Sequence, residues 1–390
     1  MTRYLPLLAA AVVCGASATA QSFQQLVDSR NSANPYSSVF QIEAGAVGAQ
    51  AQGRDASNEL RGLEDTISWD GHVYYRDDEF GSRRGTLEAY GGRDGIFASF
   101  QDGKLIGDDT VTRFEFRARP WLFYRDGYYE ADELRQNGFF EGSDYEGYIG
   151  FGREAQDGLY IELGPYYRQH DFERSDLTFS NYTLPENYAA YGMRMYLEQR
   201  AVQMDRRRGL PQQGFVLTLI GEREWNDSNE AFGSAGFTQT RLPNSAWRAR
   251  GRLEWYIPAS DSATWEVFVN GGMHDDKDRL QSIQGQRPLG NQWGDGQLRL
   301  RFNIGQSMTL TPFANVQYSR TSKQDGSATK DFFLGGGLET YFHFNQSLSL
   351  HAWYSFVENE NRPSVSIEQD LRGEHMWFAG MVLRLGASRR

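Results

Sequence analysis

Residues 246–274 read AWRARGRLEWYIPASDSATWEVFVNGGMH, and this stretch decides the fold. Apolar or small residues fill every second position from Trp247 to Ile257, and arginine, glutamate or tyrosine fills the positions between them. After a polar turn at residues 259–263, the alternation returns from Trp265 to Met273. A period of two is typical of a β-strand whose two faces meet different surroundings. The stretch therefore predicts a β-hairpin with one apolar face and one polar face.

The charged face of this hairpin does not fit an ordinary hydrophobic core. Arg248, Arg250 and Arg252 lie on the same side, and burying an unpaired charge among apolar groups is too costly. An apolar face that ends in tryptophan, backed by a charged face, fits a strand that separates lipid from a wet interior. The sequence therefore predicts an all-β protein, a transmembrane antiparallel up-and-down β-barrel. A soluble β-sandwich or propeller with polar outer faces is the alternative.

The rest of the chain favours the barrel. Alternating segments recur after Thr66, and 14% of the residues are aromatic. Short turns, such as residues 156–158 and 305–307, alternate with long polar loops, such as residues 127–144 and 275–294. Bacterial outer-membrane barrels have short periplasmic turns and long extracellular loops. We therefore expect a location in the outer membrane, extracellular long loops and a periplasmic C-terminus.

The number of strands stays open between two even values. Counting from Thr66 gives about fourteen strands. Counting residues 39–53 as a strand and splitting residues 85–101 into two raises the number to about sixteen. We favour fourteen, because residues 85–91 are short for a full span.

The first twenty residues have the features of a secretory signal peptide. Arg3 precedes an apolar run from Leu5 to Val13, and small residues lead to a cleavage site after Ala20. Cys14, the single cysteine, lies in this segment, so the expected mature chain forms no disulfide. The predicted domains are residues 1–20, a signal peptide; residues 21–65, a periplasmic lead-in that includes the optional strand 39–53; and residues 66–390, the barrel.

Arginine and glutamate dominate the inward faces of the predicted strands. The residues expected to line the lumen are Arg113, Glu115, Arg117, Arg119, Glu198, Glu222, Arg248, Arg250, Arg252, Glu254, Arg299 and Arg301. Guanidinium groups recognise carboxylate and phosphate well, so one hypothesis is a narrow path that prefers anions. The alternative is a lattice of ion pairs that braces the wall and leaves little open pore. Either of the loops 226–245 and 275–294 is a candidate constriction.

Composition and motif spacing argue against other classes of function. The net charge of −11 argues against a nucleic-acid partner, which requires a basic surface. The six histidines show no H-x-x-x-H or H-E-x-x-H spacing, so we expect neither a metal site nor a cofactor. No ordered set of histidine, serine and asparagine is evident, so we expect no enzymatic activity.

One short run resembles a known family. Residues Asp205 to Phe215 read DRRRGLPQQGF and resemble the turn-into-strand of surface-antigen barrels of the BamA/TamA type. The resemblance covers only this run and the strand after it. It implies a role in inserting or translocating outer-membrane proteins, with periplasmic repeat domains ahead of the barrel. The chain departs from the family because we expect no such domains, and because residues 287–290 read RPLG instead of an Arg-Gly-Phe/Tyr motif.

The sequence thus predicts a non-enzymatic outer-membrane barrel, and the first hypothesis is a channel or transport protein. An assembly or secretion barrel of the BamA/TamA type is the second hypothesis. A plugged structural or enzymatic barrel is the third. The expected partners are outer-membrane lipids, lipopolysaccharide and small solutes, with anions among them.

Overall fold

The computed structural model describes most of the chain after residue 35. The described residues are 36–53, 65–82, 84–103, 105–106, 110–126, 129–130, 133–134, 139–155, 158–176, 178–205, 210–234, 240–275, 278, 280–282, 290–322, 327–358 and 371–389. The predicted signal peptide, the lead-in up to residue 35 and the middle of the DRRRGLPQQGF run lie outside these residues.

Strands account for nearly all of the described residues. In chain order they are β1 (Tyr36–Gly53), β2 (Asp65–Asp77), β3 (Gly85–Gly92), β4 (Gly95–Asp102), β5 (Val111–Asp126), β6 (Tyr129–Glu130), β7 (Glu133–Leu134), β8 (Phe139–Glu154), β9 (Leu159–Glu173), β10 (Tyr182–Thr183), β11 (Tyr188–Asp205), β12 (Leu210–Asn226), β13 (Ala231–Ser234), β14 (Thr240–Arg241), β15 (Ser245–Ser260), β16 (Ala263–His274), β17 (Leu280–Ser282), β18 (Gln292–Ile304), β19 (Met308–Ser322), β20 (Ala328–His343), β21 (Leu348–Val357) and β22 (Leu371–Arg389).

Sixteen of the described strands form one closed antiparallel barrel. Of the six short strands, β6, β7, β10, β13 and β14 form two separate small sheets, and β17 is hydrogen-bonded to β5 without being one of the sixteen wall strands. Each wall strand pairs with the next wall strand along the chain. The barrel closes because β1 pairs with both β2 and β22: Ile42 lies opposite Val73 on one side and Leu383 on the other. The fold is therefore the predicted up-and-down barrel.

The larger of the two predicted strand numbers is the one observed. The optional strand at residues 39–53 is present as β1, and residues 85–101 form the separate strands β3 and β4. The barrel wall therefore begins at Tyr36, inside the segment expected to be a lead-in. The short β3 is a full member of the wall even though it is too short for a full span.

The outer surface of the wall is apolar. Phe116, Leu163, Tyr191 and Leu219 are exposed, and the neighbours of each in the sequence are buried or turned inward. An outward apolar band over a polar interior is what a barrel presents to hydrocarbon. No helix in the described part of the chain is long and apolar enough to cross a membrane.

A β-bulge in β5 corrects one prediction about its faces. The alternation predicts that Phe114, Phe116, Leu122 and Tyr124 share one face, but the register of β5 against β8 shifts between Arg119 and Leu122. A bulge adds one residue to a strand and exchanges its two faces beyond that point. Phe114 and Phe116 therefore point outward as predicted, whereas Leu122 and Tyr124 point into the barrel.

Candidate functional site: the barrel interior

Strand register brings the predicted interior charges together. In the wall, β12 lies between β11 and β15, so Glu222 has Arg194 on one side and Arg248 on the other. Successive residues of a strand point to opposite faces, so an inward charge recurs at every second position and meets an inward residue of each neighbour. The ion pairs of the interior follow from this register.

Arg194 is the centre of a buried ionic lattice, which consists of Arg113, Glu115, Arg117, Glu146, Arg168, Arg194, Glu222 and Glu224. Nε of Arg194 donates to Glu222 at 2.7 Å, and its Nη2 donates to Glu146 at 2.8 Å. Its guanidinium carbon also lies 5.0 Å from the ring centroids of Tyr148 and Tyr166. A planar guanidinium with several donors suits such a multiple contact.

The lattice continues toward β15 through shared carboxylates. Arg168 contacts Glu146 at 2.5 Å and Glu224 at 2.8 Å. Glu224 also lies 3.1 Å from Arg248, and Glu222 lies 3.4 Å from Arg250. Each of these carboxylates therefore serves more than one guanidinium, and the arginines of β15 are connected to the lattice.

A second ionic cluster occupies the opposite side of the interior. Glu266 lies 3.2 Å from Arg299 and 2.7 Å from Arg301. Arg299 also pairs with Glu339, and His351 lies between Glu339 at 3.1 Å and Glu43 at 2.5 Å. This cluster ties β16, β18, β20 and β21 to β1. Among the described residues, no group of three or more His, Cys, Asp or Glu side chains has an arrangement that could hold a metal ion.

Aromatic side chains from the wall and the long loops form a cap, which we call the aromatic cap. Its buried members are Leu122, Tyr124, Phe140, Phe172, Tyr182, Tyr188, Ala190, Phe232 and Leu242. Tyr182, Phe232 and Leu242 come from the loops that follow β9 and β12. The rings of Tyr124 and Phe140 stack with centroids 5.6 Å apart. The cap therefore lies at the end of the barrel that carries the long loops, against the inner side of β5, β8, β9 and β11.

The loop after β16 reaches β5, and we call its described residues 278 and 280–282 the strap. Leu280 to Ser282 form β17, which pairs with Tyr124 to Asp126 of β5. Asp278 is buried, and Arg248 donates to it from Nη2 at 3.0 Å and from Nε at 3.3 Å. Both loops that the sequence offered as constrictions thus place residues at this end: loop 226–245 in the aromatic cap and loop 275–294 in the strap.

The twelve predicted lumen residues divide into two groups. Seven of them are buried. Six lie within the ion pairs described above: Arg113, Glu115, Arg117, Glu222, Arg299 and Arg301. The seventh, Glu198, lies beside Tyr196, whose hydroxyl donates to it at 2.5 Å. In contrast, the side chains of Arg248 and Arg250 are 26% and 25% exposed. Arg252 and Glu254 are also partly exposed, and they pair with each other at 2.6 Å. Arg119 is also partly exposed and pairs with Asp144.

Sequence reasoning missed several residues of this interior. Glu146, Arg168 and Arg194 are inward members of β8, β9 and β11 and belong to the lattice. Strand alternation offered a signal for Glu146 and Arg194, whose sequence neighbours are apolar or small, and a weaker one for Arg168, which lies between Tyr167 and Gln169. Asp278 and Phe232 gave no such signal, because they lie in loops whose contacts depend on how the chain returns over the barrel.

Comparisons with known proteins show a similarity of fold and no closer relationship. No family model matches the sequence, and no curated protein matches it either. The structure is similar to CdiB from Acinetobacter baumannii, with a TM-score of 0.53 and 10% identity over 89% of this chain and 60% of that chain. It is also similar to BamA from Haemophilus ducreyi lacking POTRA domains 1–3, with a TM-score of 0.51 and 9% identity over 89% of this chain and 70% of that chain.

The chain has the fold of outer-membrane β-barrels. This confirms the predicted fold, and the structural likeness includes the type of barrel that the DRRRGLPQQGF run resembles. Within that run, Pro211 and Gly214 belong to β12, and Gly214 has a φ of 108°. A side chain at Gly214 would collide with the carbonyl oxygen of Ala201, so the backbone alone requires glycine there.

Proposed function

We propose that the protein is a non-enzymatic barrel of the outer membrane that transports small anionic solutes along a narrow path beside β15. Its apolar outer surface would contact membrane lipids and lipopolysaccharide. Its long loops would lie outside the cell, and its C-terminus would lie in the periplasm. The aromatic cap and the strap would limit the size of the solute.

The observation that carries this proposal is the partial exposure of the arginines on β15. Arg248 and Arg250 retain contact with solvent, while the lattice behind them is buried. Glu222 is shared among Arg168, Arg194 and Arg250. The inner face of β15 carries three arginines and only one glutamate, Glu254. An excess of guanidinium groups along a narrow wet path attracts anions and repels cations.

Ion selectivity tests the proposal. In planar bilayers, the refolded protein is expected to conduct with a preference for chloride over potassium. Arg250→Glu is expected to reverse that preference, because it changes the sign of the exposed charge on the path. Arg223→Glu is the matched control, because Arg223 is exposed on the outer side of β12 and donates to Ser245. Cation preference in the unmodified protein, or no conductance at all, contradicts the proposal.

The fold similarity to CdiB and BamA favours a second candidate, the assembly or secretion barrel. The seam between the first and last wall strands bears on this choice. β1 and β22 pair from Tyr36 opposite Arg389 to Gly53 opposite Leu371, with no long unpaired stretch. A barrel that opened its wall here would have to break this whole ladder.

A disulfide across the seam distinguishes the two candidates. Ala46 and Ala379 lie opposite each other in β1 and β22, and the only native cysteine, Cys14, lies in the predicted signal peptide. Oxidised Ala46→Cys/Ala379→Cys protein is expected to conduct ions as the unmodified protein does. The single variants Ala46→Cys and Ala379→Cys serve as controls. If the oxidised double variant loses conductance and regains it on reduction, the seam opens during function and the second candidate is favoured.

A further inference from the structure

The hairpin of β3 and β4 leaves a notch in the barrel wall at the end that carries the long loops. Each of these strands has 8 residues, whereas β2 has 13 and β5 has 16. β2 pairs with β1 from Asp65 onward, but its pairing with β3 begins only at His72. β5 pairs with β8 as far as Arg125, but its pairing with β4 ends at Ala118.

The size of the notch follows from strand geometry. It lies between residues 65–71 of β2 and residues 119–123 of β5, with the β3–β4 turn at Arg93 and Asp94 as its lower edge. Three strand spacings separate β2 from β5, which places their backbones about 14 Å apart. Above Tyr124 the strap pairs with β5 and narrows the notch. Among the described residues, no other strand pairs with either edge inside it.

The edges of the notch have to be in contact with water or with a polar group. Unpaired backbone N–H and C=O groups cost several kcal/mol each in hydrocarbon, so open edges at membrane depth occur only beside protein or a wet cavity. The inward side chains on the β2 edge and in the β3–β4 turn are polar. Arg93 donates from Nη1 to Ser68 at 3.0 Å and interacts electrostatically with Asp70, and Asp94 is its neighbour in the turn. Among the residues that the structure describes, nothing covers the notch, which therefore forms a wet gap in an otherwise apolar wall.

Large apolar side chains flank this wet opening on the outside. Ile67 and Trp69 of β2 are 75% and 83% exposed, and Trp121 of β5 is 74% exposed. In the proposed membrane location, these side chains would bring hydrocarbon up to both sides of the notch. An added peptide strand does not fit β5, since Pro120 has no N–H to donate and the bulge beside it distorts the edge.

We propose that the notch is a lateral opening that admits the chain of a single-chain amphiphile from the outer layer of the membrane into the barrel interior. The apolar flanks accept the hydrocarbon chain, and the polar side chains on the inner side of β2 accept the head group. When water stays bound to both edges, the remaining width of the gap fits one extended hydrocarbon chain but not the two hydrocarbon chains of a phospholipid. The inference rests on the proposed membrane location but not on anion transport along β15.

Fluorescence quenching tests this opening. A bimane label on Ser68→Cys lies inside the notch, and the protein is reconstituted into phosphatidylcholine vesicles. Nitroxide-labelled lysophosphatidylcholine is expected to quench it several-fold more strongly than nitroxide-labelled phosphatidylcholine, which has the same head group and two chains. Thr218→Cys is the inward control, because Thr218 is buried and its strand is paired on both sides with Glu198 and Arg252. Leu219→Cys is the outward control, since Leu219 is exposed.

The pattern over the three sites decides the result. The proposal predicts that both probes quench at Leu219→Cys, that neither quenches at Thr218→Cys, and that the single-chain probe quenches several-fold more strongly than the two-chain probe at Ser68→Cys. Quenching at Ser68→Cys by neither probe, or equally by both, overturns the lateral opening for single chains. Absence of quenching at Leu219→Cys overturns the membrane location itself, so the two failures are distinguishable.

Discussion

Arg194→Met is expected to lower the free energy of unfolding by about 3–5 kcal/mol, the usual cost of removing one partner from a buried ion pair. Arg194 is fully buried and contacts Glu222 at 2.7 Å and Glu146 at 2.8 Å. Methionine keeps much of the volume but leaves these carboxylates without their central cation. Urea unfolding of the protein in detergent micelles, followed by tryptophan fluorescence, measures the change.

The control for this prediction is Arg223→Met, which removes an arginine from the outer side of the neighbouring strand. Arg223 is exposed and bonds to Ser245, so its loss is expected to change the free energy of unfolding by no more than about 0.5 kcal/mol. Arg194→Met/Glu222→Gln is expected to cost less than the sum of the two single variants, because the residues interact directly. Equal effects of Arg194→Met and Arg223→Met would show that the lattice does not brace the wall.

Asp278→Asn is expected to raise the conductance of the reconstituted protein several-fold. The carboxylate of Asp278 holds the strap to Arg248 at 3.0 Å, and the neutral amide removes the ionic part of that contact. Releasing the strap frees Arg248 and uncovers the path along β15. Single-channel recording measures the change. Asp261→Asn is the control, since Asp261 is exposed in the turn between β15 and β16 and makes the same change of charge.

Acidification gives an independent test of the same contact. Burial disfavours the charged form of Asp278, but Arg248, His274 and hydrogen bonds outweigh it and hold its pKa below the ordinary value of 3.8. A carboxyl group whose pKa is lowered by its contacts contributes its full stabilisation at pH values above its ordinary pKa. It loses that stabilisation as the pH falls through the lowered pKa. The conductance is therefore expected to stay constant down to about pH 3.8 and to rise below it. In Asp278→Asn this rise is expected to disappear, and its persistence there would assign the rise to another group.

The division between sequence and structure is clearest in β5. Alternation identified the strand and correctly placed Arg113, Glu115 and Arg117 on its inner face. It failed after Arg119, where the bulge turns Tyr124 inward to the aromatic cap. A bulge changes the faces of a strand without changing its composition, so a period of two remains visible in the sequence on each side of it and the shift between them is easily overlooked.

The sequence by itself determined the class of fold and the alternation of apolar and charged residues along each strand, while the role of the twelve predicted lumen residues stays a prediction. The first two depend on the period of a single strand, and that period is a local property of the backbone. Only the tertiary structure decided which charges are buried in the lattice and which remain exposed on β15, how the strap reaches Arg248, and where the short β3–β4 hairpin opens the wall. These depend on strand register and on loops that return over the barrel, which bring together residues such as Arg248 and Asp278 through contacts that no local pattern specifies.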